Sequence, residues 1–248
     1  MDERASFGAA EHLQPPTGLG TTPAAAPGAS LADPRALTIL STEHWSLLSA
    51  RSLVYNESFA RTGMFLTFLS ASTVALALVA QAMGFDREFL LFATAILGFD
   101  LFIALATLGR IESASSEDLR SIQGMNRIRH AYLEIAPGLK AYFISSTYDD
   151  MPGILSTYGE SSEGESIVGS AIHGLTTMPG MVAAISAALG GLLGAVLALD
   201  FGAAPGVAAL IGLASGVLIL ALALATGMRG FTRFNTGLDS RFPTPPET

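Results

Sequence analysis

Long apolar runs alternate with amphipathic, charged stretches along this chain. Between Arg61 and Asp86 stand 24 uncharged residues, Thr62 to Phe85, and between Glu88 and Arg110 stand 21, Phe89 to Gly109, broken only by Asp100. Residues 174 to 199 are again uncharged, and a fourth apolar run follows Asp200 from Pro205 to Met228. About 20 mostly apolar residues carry an α-helix across the hydrocarbon core of a bilayer. The pattern therefore predicts an all-α membrane protein with four transmembrane helices in two hairpins. The first hairpin covers 62–109, with spans at about 62–84 and 89–109. The second covers 179–228, with spans at about 180–199 and 205–228, and Pro179 suits the first turn of its first helix.

The stretches between and before the spans change period but stay helical. Ser41 reads as an N-cap, and Leu40 with Trp45 reads as a hydrophobic staple around it. From there Trp45, Leu48, Ser52, Tyr55 and Phe59 recur at helical spacing, with no Pro or Gly before Gly63. This predicts a cytoplasmic helix over 41–61, continuous with the first span, on which Glu57 and Arg61 pair four residues apart. After the second span, Ser115 and Asp118 fit a capping box that restarts a helix ending before Pro137-Gly138. Its stripe is Leu119, Ile122, Met125, Tyr132 and Ile135. Two such helices bury their stripes most economically as an antiparallel cytoplasmic helical stalk. The rest of the 110–178 loop region reads as a short helix from Met151 to Tyr158 capped by Asp150, an acidic loop with Glu160, Glu163 and Glu165, and a weakly amphipathic turn over Ile167–Thr177. Residues 1–36 are rich in Ala, Pro, Gly and Thr, lack the apolar core of a signal peptide, and read as a disordered tail; 229–248 reads as a cytoplasmic tail.

Composition agrees with a membrane solvent. Only 14% of the 248 residues are charged, against roughly 25% in an average soluble domain. A net charge of −8 supplies no electrostatic footprint for nucleic acid. The absence of Cys excludes disulfides, thiolate catalysis and Cys-ligated metals. Of the 13 basic residues, twelve fall before span one, between spans two and three, or after span four, and only Arg87 falls in the two short turns. By the positive-inside rule both termini and the large loop are cytoplasmic, which places the chain as a multi-pass protein of the cell (inner) membrane.

The stretches SARSLVYNESFARTGMFLTFLSAS (49–72) and MNRIRHAYLE (125–134) resemble a group of uncharacterised bacterial four-span integral membrane proteins with cytoplasmic helical extensions. The resemblance covers the cytoplasmic helices and the first hairpin, and implies architecture but no activity. More loosely, a two-span hairpin with helical extensions is similar to membrane effectors found beside bacterial nucleotide-signalling systems.

Candidate chemistry is sparse. Asp100 stands near mid-bilayer, where a carboxylate costs on the order of 2.5–3.5 kcal/mol and should face protein or water. Ser70, Ser72 and Thr73 lie at similar depth, so Asp100 is either a proton- or ion-linked site or a hydroxyl-paired lock between two helices. Spans three and four carry small residues four apart: Gly190 with Gly194, Gly212 with Gly216, and the row Ala183, Ala187, Gly191, Ala195. Such rows admit close helix packing, within the hairpin or between copies. On the stalk, Arg127, Arg129, His130 and Glu134, with Trp45 and Tyr55, form a candidate interaction patch; its alternative is a solvated face with local ion pairs. Asp149, Asp150, Glu160 and Glu163 read as a solvated acidic loop rather than a cation site. None of His12, His44, His130 and His173 stands in a metal-ligand motif, and no phosphate loop or nucleophile elbow occurs. The expectation is a non-enzymatic protein without metal or cofactor. Its partners are the lipid bilayer and either a second copy or a cytoplasmic protein at the stalk. It acts as an oligomerising scaffold or signal-coupling component; the alternative is a small transporter or channel subunit using Asp100.

Overall fold

The computed structural model describes residues 31–158 and 174–246. Among them it is helical without strands. The helices are α1 (Ala36–Met83), α2 (Arg87–Ile135), α3 (Met151–Tyr158), α4 (Met178–Asp200) and α5 (Pro205–Thr236), with a 3-10 turn at Pro137–Tyr142. Four of these, α1, α2, α4 and α5, are long and apolar enough to cross a membrane.

Length alone forces α1 and α2 beyond a bilayer. At about 1.5 Å per residue, helices of 48 and 49 residues measure roughly 72 Å, more than twice a hydrocarbon core of about 30 Å. Both are unbroken. Helix α1 starts at Ala36, ahead of the predicted Ser41 cap, and Ser41 Oγ instead donates to Thr38 O at 3.0 Å. Ser115 and Asp118 restart nothing: Ser115 Oγ donates to Ile111 O inside a continuous α2, and Asp118 faces α1. Both capping signals lie within good helix formers, where tertiary packing outweighs a local cap.

The tight turns follow from local chemistry. Gly84 (φ 79°) and Gly202 (φ 82°) take left-handed conformations that side chains resist. Asp86 caps α2, accepting from Phe89 N at 3.1 Å, and Thr177 Oγ1 caps α4, accepting from Gly180 N at 3.3 Å. Arg87 lies 3.6 Å from Asp200, joining the two turns at one end of the molecule.

Helices α1 and α2 pack antiparallel for nearly their whole length. The contacts His44–Tyr132, Leu47–Gly124, Arg51–Asp118, Glu57–Arg110 and Ser72–Asp100 step down one helix as they step up the other. Helix α4 packs on α2 and on α5, whereas α1 leans on α2. The core within the apolar lengths joins Phe65, Leu97, Ala104, Leu108 and Ile111 to Val182, Ala183 and Leu189. A second, smaller core at the polar end joins Ile122, Met125, Ile154 and Phe234, with Leu47, Met151 and Leu238 packed on it.

Two expectations about faces are corrected. The α1 stripe does not turn inward: Trp45, Leu48, Tyr55 and Phe59 are exposed, Trp45 to 67% and Phe59 to 63%. The face turned to α2 carries His44, Leu47, Arg51 and the buried Ser58, because the ion pair of Arg51 with Asp118 sets the rotation. The second correction concerns the C-terminus. Helix α5 continues past Met228 to Thr236, and residues 238–244 are docked rather than loose.

Candidate functional site

The densest polar chemistry lies where α1, α2, α3 and the C-terminal segment meet. Asp118, almost wholly buried, accepts from Arg51 Nε at 2.5 Å and Nη2 at 3.3 Å, from Tyr55 Oη at 3.4 Å, and from Tyr158 Oη. The Arg51 guanidinium lies 5.7 Å from the Tyr55 ring centre and 5.6 Å from that of Tyr158, within cation–π range of both. Burial, then the bond to Asp118, pushes the Tyr158 phenol well above its ordinary range. It therefore stays neutral and donating through the physiological range. A raised folded pKa means that this contribution is fully present below the unfolded value of about 10 and is lost only above it.

Asn126, fully buried on α2, uses its whole amide. Its Nδ2 donates to Tyr148 O at 2.8 Å and Gly153 O at 3.2 Å, and its Oδ1 accepts from Arg129 Nη1 at 2.7 Å and Thr157 Oγ1 at 3.2 Å. One side chain thus ties the chain before α3 and α3 itself to α2, and fixes Arg129 on the same helix. Asp150 caps α3, accepting from Gly153 N at 3.1 Å.

Asp149 is the fastening point of the C-terminus. It is 0% exposed, which corrects its reading as part of a solvated loop. Its carboxylate accepts from Arg127 Nε (2.6 Å), Ser240 Oγ (2.8 Å), Arg241 N (3.0 Å) and Phe242 N (2.7 Å). Burial pushes this carboxyl upward, but the Arg241 amide, the Arg127 guanidinium, the Phe242 amide and the Ser240 hydroxyl outweigh it and hold it at about 2. A depressed folded pKa gives stability that is present above the unfolded value of about 3.9 and lost as pH falls from there toward 2.

The candidate residues divide between these clusters. Arg127 is committed to Asp149 and to Asp239 O. Arg129 makes no ion pair among the described residues; burial, then Arg51, pushes its pKa down. His130 stacks on Phe242 with ring centres 4.0 Å apart, and its Nε2 lies 3.5 Å from Glu134 Oε1. Trp45 and Tyr55 are on α1, Trp45 facing outward and Tyr55 reaching back to Asp118. Nearer the apolar lengths, Arg110 bridges Glu57 (2.8 Å) and Glu117 (3.0 Å), and with Arg61 it holds the Glu57 carboxyl at about 2.

Within the apolar lengths, Asp100 is 1% exposed and Ser72 Oγ donates to its Oδ1 at 2.9 Å. Ser70 and Thr73 do not reach it: both are exposed and donate to Leu66 O and Leu69 O of their own helix. Asp100 Oδ2 is buried without a hydrogen-bond partner among the described residues. The small-residue rows meet within the chain. A Cβ on Gly212 would lie 2.8 Å from Gly191 O, one on Gly191 would lie 3.1 Å from Gly212 O, and one on Gly216 would lie 2.9 Å from Ala187 O. Gly190 and Gly194 face Ile219 and Ser215, and Ser215 Oγ donates to Gly190 O at 3.0 Å. No group of three His, Asp or Glu among the described residues is arranged to hold a metal.

The pairing roles of Arg51, Asp118, Asn126 and Asp149 are the ones that the motif reading did not assign. Arg51 and Asp118 were legible: folding the sequence about the Gly84–Asp86 turn sets Glu57 opposite Arg110 and Arg51 opposite Asp118, two opposite-charge pairs in register. No sequence signal marked Asp149 as a fastening point, since the C-terminal partners it holds lie more than ninety residues away.

These features define an all-helical chain, among the described residues, with four helices long and apolar enough to cross a membrane and a polar junction at one end. Compared with family models, characterised proteins and solved structures, the chain has no match.

Proposed function

We propose that this chain is a bacterial inner-membrane protein of two transmembrane hairpins, with both termini and a cytoplasmic helical stalk on one side. It works there by assembly, as an oligomerising scaffold or signal-coupling component. The orientation rests on the twelve basic residues that fall on the stalk side, with Arg87 on the opposite turn beside Asp200. One observation carries the assembly reading. Around and beyond the Glu57–Arg110 ion pair, α1 presents Trp45 (67% exposed), Leu48, Leu53 (70%) and Phe59 (63%) outward, uncovered by the other described residues. Large apolar side chains grouped on a water-facing helix mark an interaction surface. The partner is a second copy or a cytoplasmic protein. The small-residue faces are already used between α4 and α5, which leaves α1 as the open side of the bundle.

A second reading has its own observation. The orphaned Oδ2 of Asp100 is a buried carboxylate oxygen awaiting a proton or cation, as in a small transporter or channel subunit. One experiment separates the two. Ser52 is exposed on α1, and the chain has no native Cys. Ser52→Cys in native membranes should give disulfide-linked dimers or a linked partner on oxidation, and adding Asp100→Asn should leave the crosslink unchanged. Absence of any crosslink from Ser52, together with loss of proton-driven flux into vesicles on Asp100→Asn, would transfer the function to the intramembrane carboxylate.

A further inference from the structure

The C-terminal segment is held in an unusual way for a terminus. Residues 239–244 have no regular structure, yet seven of their polar atoms are hydrogen-bonded to other elements. Asp239 O accepts from Gln123 Nε2 (3.1 Å) and from Arg127; Ser240 Oγ, Arg241 N and Phe242 N converge on Asp149; Phe242 O accepts from Asp149 N (3.1 Å). The Phe242 ring lies on His130, and Thr244 donates both its N (2.7 Å) and its Oγ1 (2.8 Å) to Asp150.

Everything that receives this segment belongs to other elements and is positioned without it. Gln123, Arg127 and His130 stand on α2, Asp150 caps α3, and Asn126 fixes the chain that carries Asp149 by bonding Tyr148 O. The groove's walls therefore have anchors of their own besides their contacts with the segment. Its recognition is mostly of main chain, as in other sites for extended peptides. Three side chains add selectivity: a hydroxyl at 240, an aromatic ring at 242 and a hydroxyl at 244. The occupant is also separable. Helix α5 packs through Phe234 into the polar-end core and is capped at Gly237, and Leu238 packs on the same core, so the segment beyond starts from a fixed anchor. Removing the segment would leave Asp149 with Arg127 alone among its four donor groups, a buried carboxylate short of partners. The vacated groove would then select a replacement of the same chemistry.

We propose that the groove between α2 and the Asp149–α3 segment is a peptide-docking site and that residues 239–244 of this chain are its resident, releasable occupant. The pattern it reads is a hydroxyl residue, a free choice, an aromatic, a free choice and a second hydroxyl residue, as in Ser240-Arg241-Phe242-Pro243-Thr244. The latch deepens the assembly reading, since it lies on the same polar ends of the helices and would control what they present. It is tested apart from assembly.

The test uses the intact chain in lipid nanodiscs with a nitroxide on Pro246→Cys, a position outside every contact described above. A synthetic peptide of residues 238–246 is titrated in. The expected result is a saturable growth of the mobile spectral component as the peptide displaces the tethered tail. The Phe242→Ala peptide should need about tenfold more, the effect of losing roughly 1.4 kcal/mol. In parallel, the amides of Arg241, Phe242 and Thr244 should exchange with solvent more slowly than open coil but faster than that of Phe234. Any of three results overturns the proposal: equal potency of the two peptides, no displacement by either, or exchange of these amides only with global unfolding, which would make the segment a permanent part of the core. A failed Ser52 crosslink leaves this outcome unaffected, so the two readings fail separately.

Discussion

Asp118→Ala should loosen the polar ends of α1 and α3 while leaving the apolar lengths intact. The substitution removes the carboxylate that Arg51, Tyr55 and Tyr158 share, and leaves a guanidinium between two rings with no counter-ion. Removing one partner of a buried ion pair typically costs about 3–5 kcal/mol. The Arg51 side chain is 24% exposed, and water recovers part of that cost, so a loss of roughly 2–3 kcal/mol is expected. Hydrogen exchange reads it locally: protection should fall over residues 36–60 and 151–158 and stay unchanged over 180–199. Asp118→Asn should cost less, because it keeps an acceptor for the two phenols. The exchanged pair Arg51→Asp with Asp118→Arg should recover part of the loss. Unchanged protection in Asp118→Ala would show that the junction is held by its apolar contacts alone.

Gly212→Leu should separate α4 from α5. These helices approach until backbone meets backbone: the first atom of a side chain at 212 would already stand 2.8 Å from Gly191 O and 2.9 Å from Ala195 Cβ, and neither neighbour is the end of a flexible side chain. Overpacking of this kind costs typically about 1–3 kcal/mol, and Leu adds three further carbons to the collision, so the upper end is expected. It would also displace the Ser215 bond to Gly190 O. Gly206→Leu and Gly230→Leu are the controls on the same helix, because a Cβ at either position meets nothing within 4 Å. Thermal unfolding in detergent should drop for Gly212→Leu and stay within error for the controls. Three equal values would mean that the α4–α5 contact is not the close approach described.

The apolar runs were the most legible part of the chain, because period-free stretches of about 20 residues have few alternatives in sequence space. Legibility declined wherever polar residues decide packing. The stripe through Trp45, Tyr55 and Phe59 followed hydrophobicity, but α1 turns to α2 the face that carries Arg51, whose guanidinium pairs with Asp118, and of the three aromatic residues only Tyr55 reaches that carboxylate. Ser41 and Ser115 matched capping patterns, yet both sit inside continuous helices whose flanking residues continue to pack. Among the hydroxyls beside Asp100, only the one in helical register with it makes the bond; Ser70 and Thr73 point elsewhere on the same turn and a half of helix. The tail was misread for a different reason. Ser240 to Thr244 carry no periodic signal, and their order comes chiefly from Asp149, with Asp150 and His130, all remote in sequence.

The central claim is that the chain crosses the membrane four times and gathers its polar helix ends on the cytoplasmic face. Reporter fusions test it most directly. A reporter active only in the cytoplasm, fused after Thr248, should be active, and the same reporter inserted in the Gly84–Asp86 turn should be silent, while a periplasm-dependent reporter gives the reverse pattern at both sites. A cytoplasmic signal from the Gly84–Asp86 turn would contradict the four-span account.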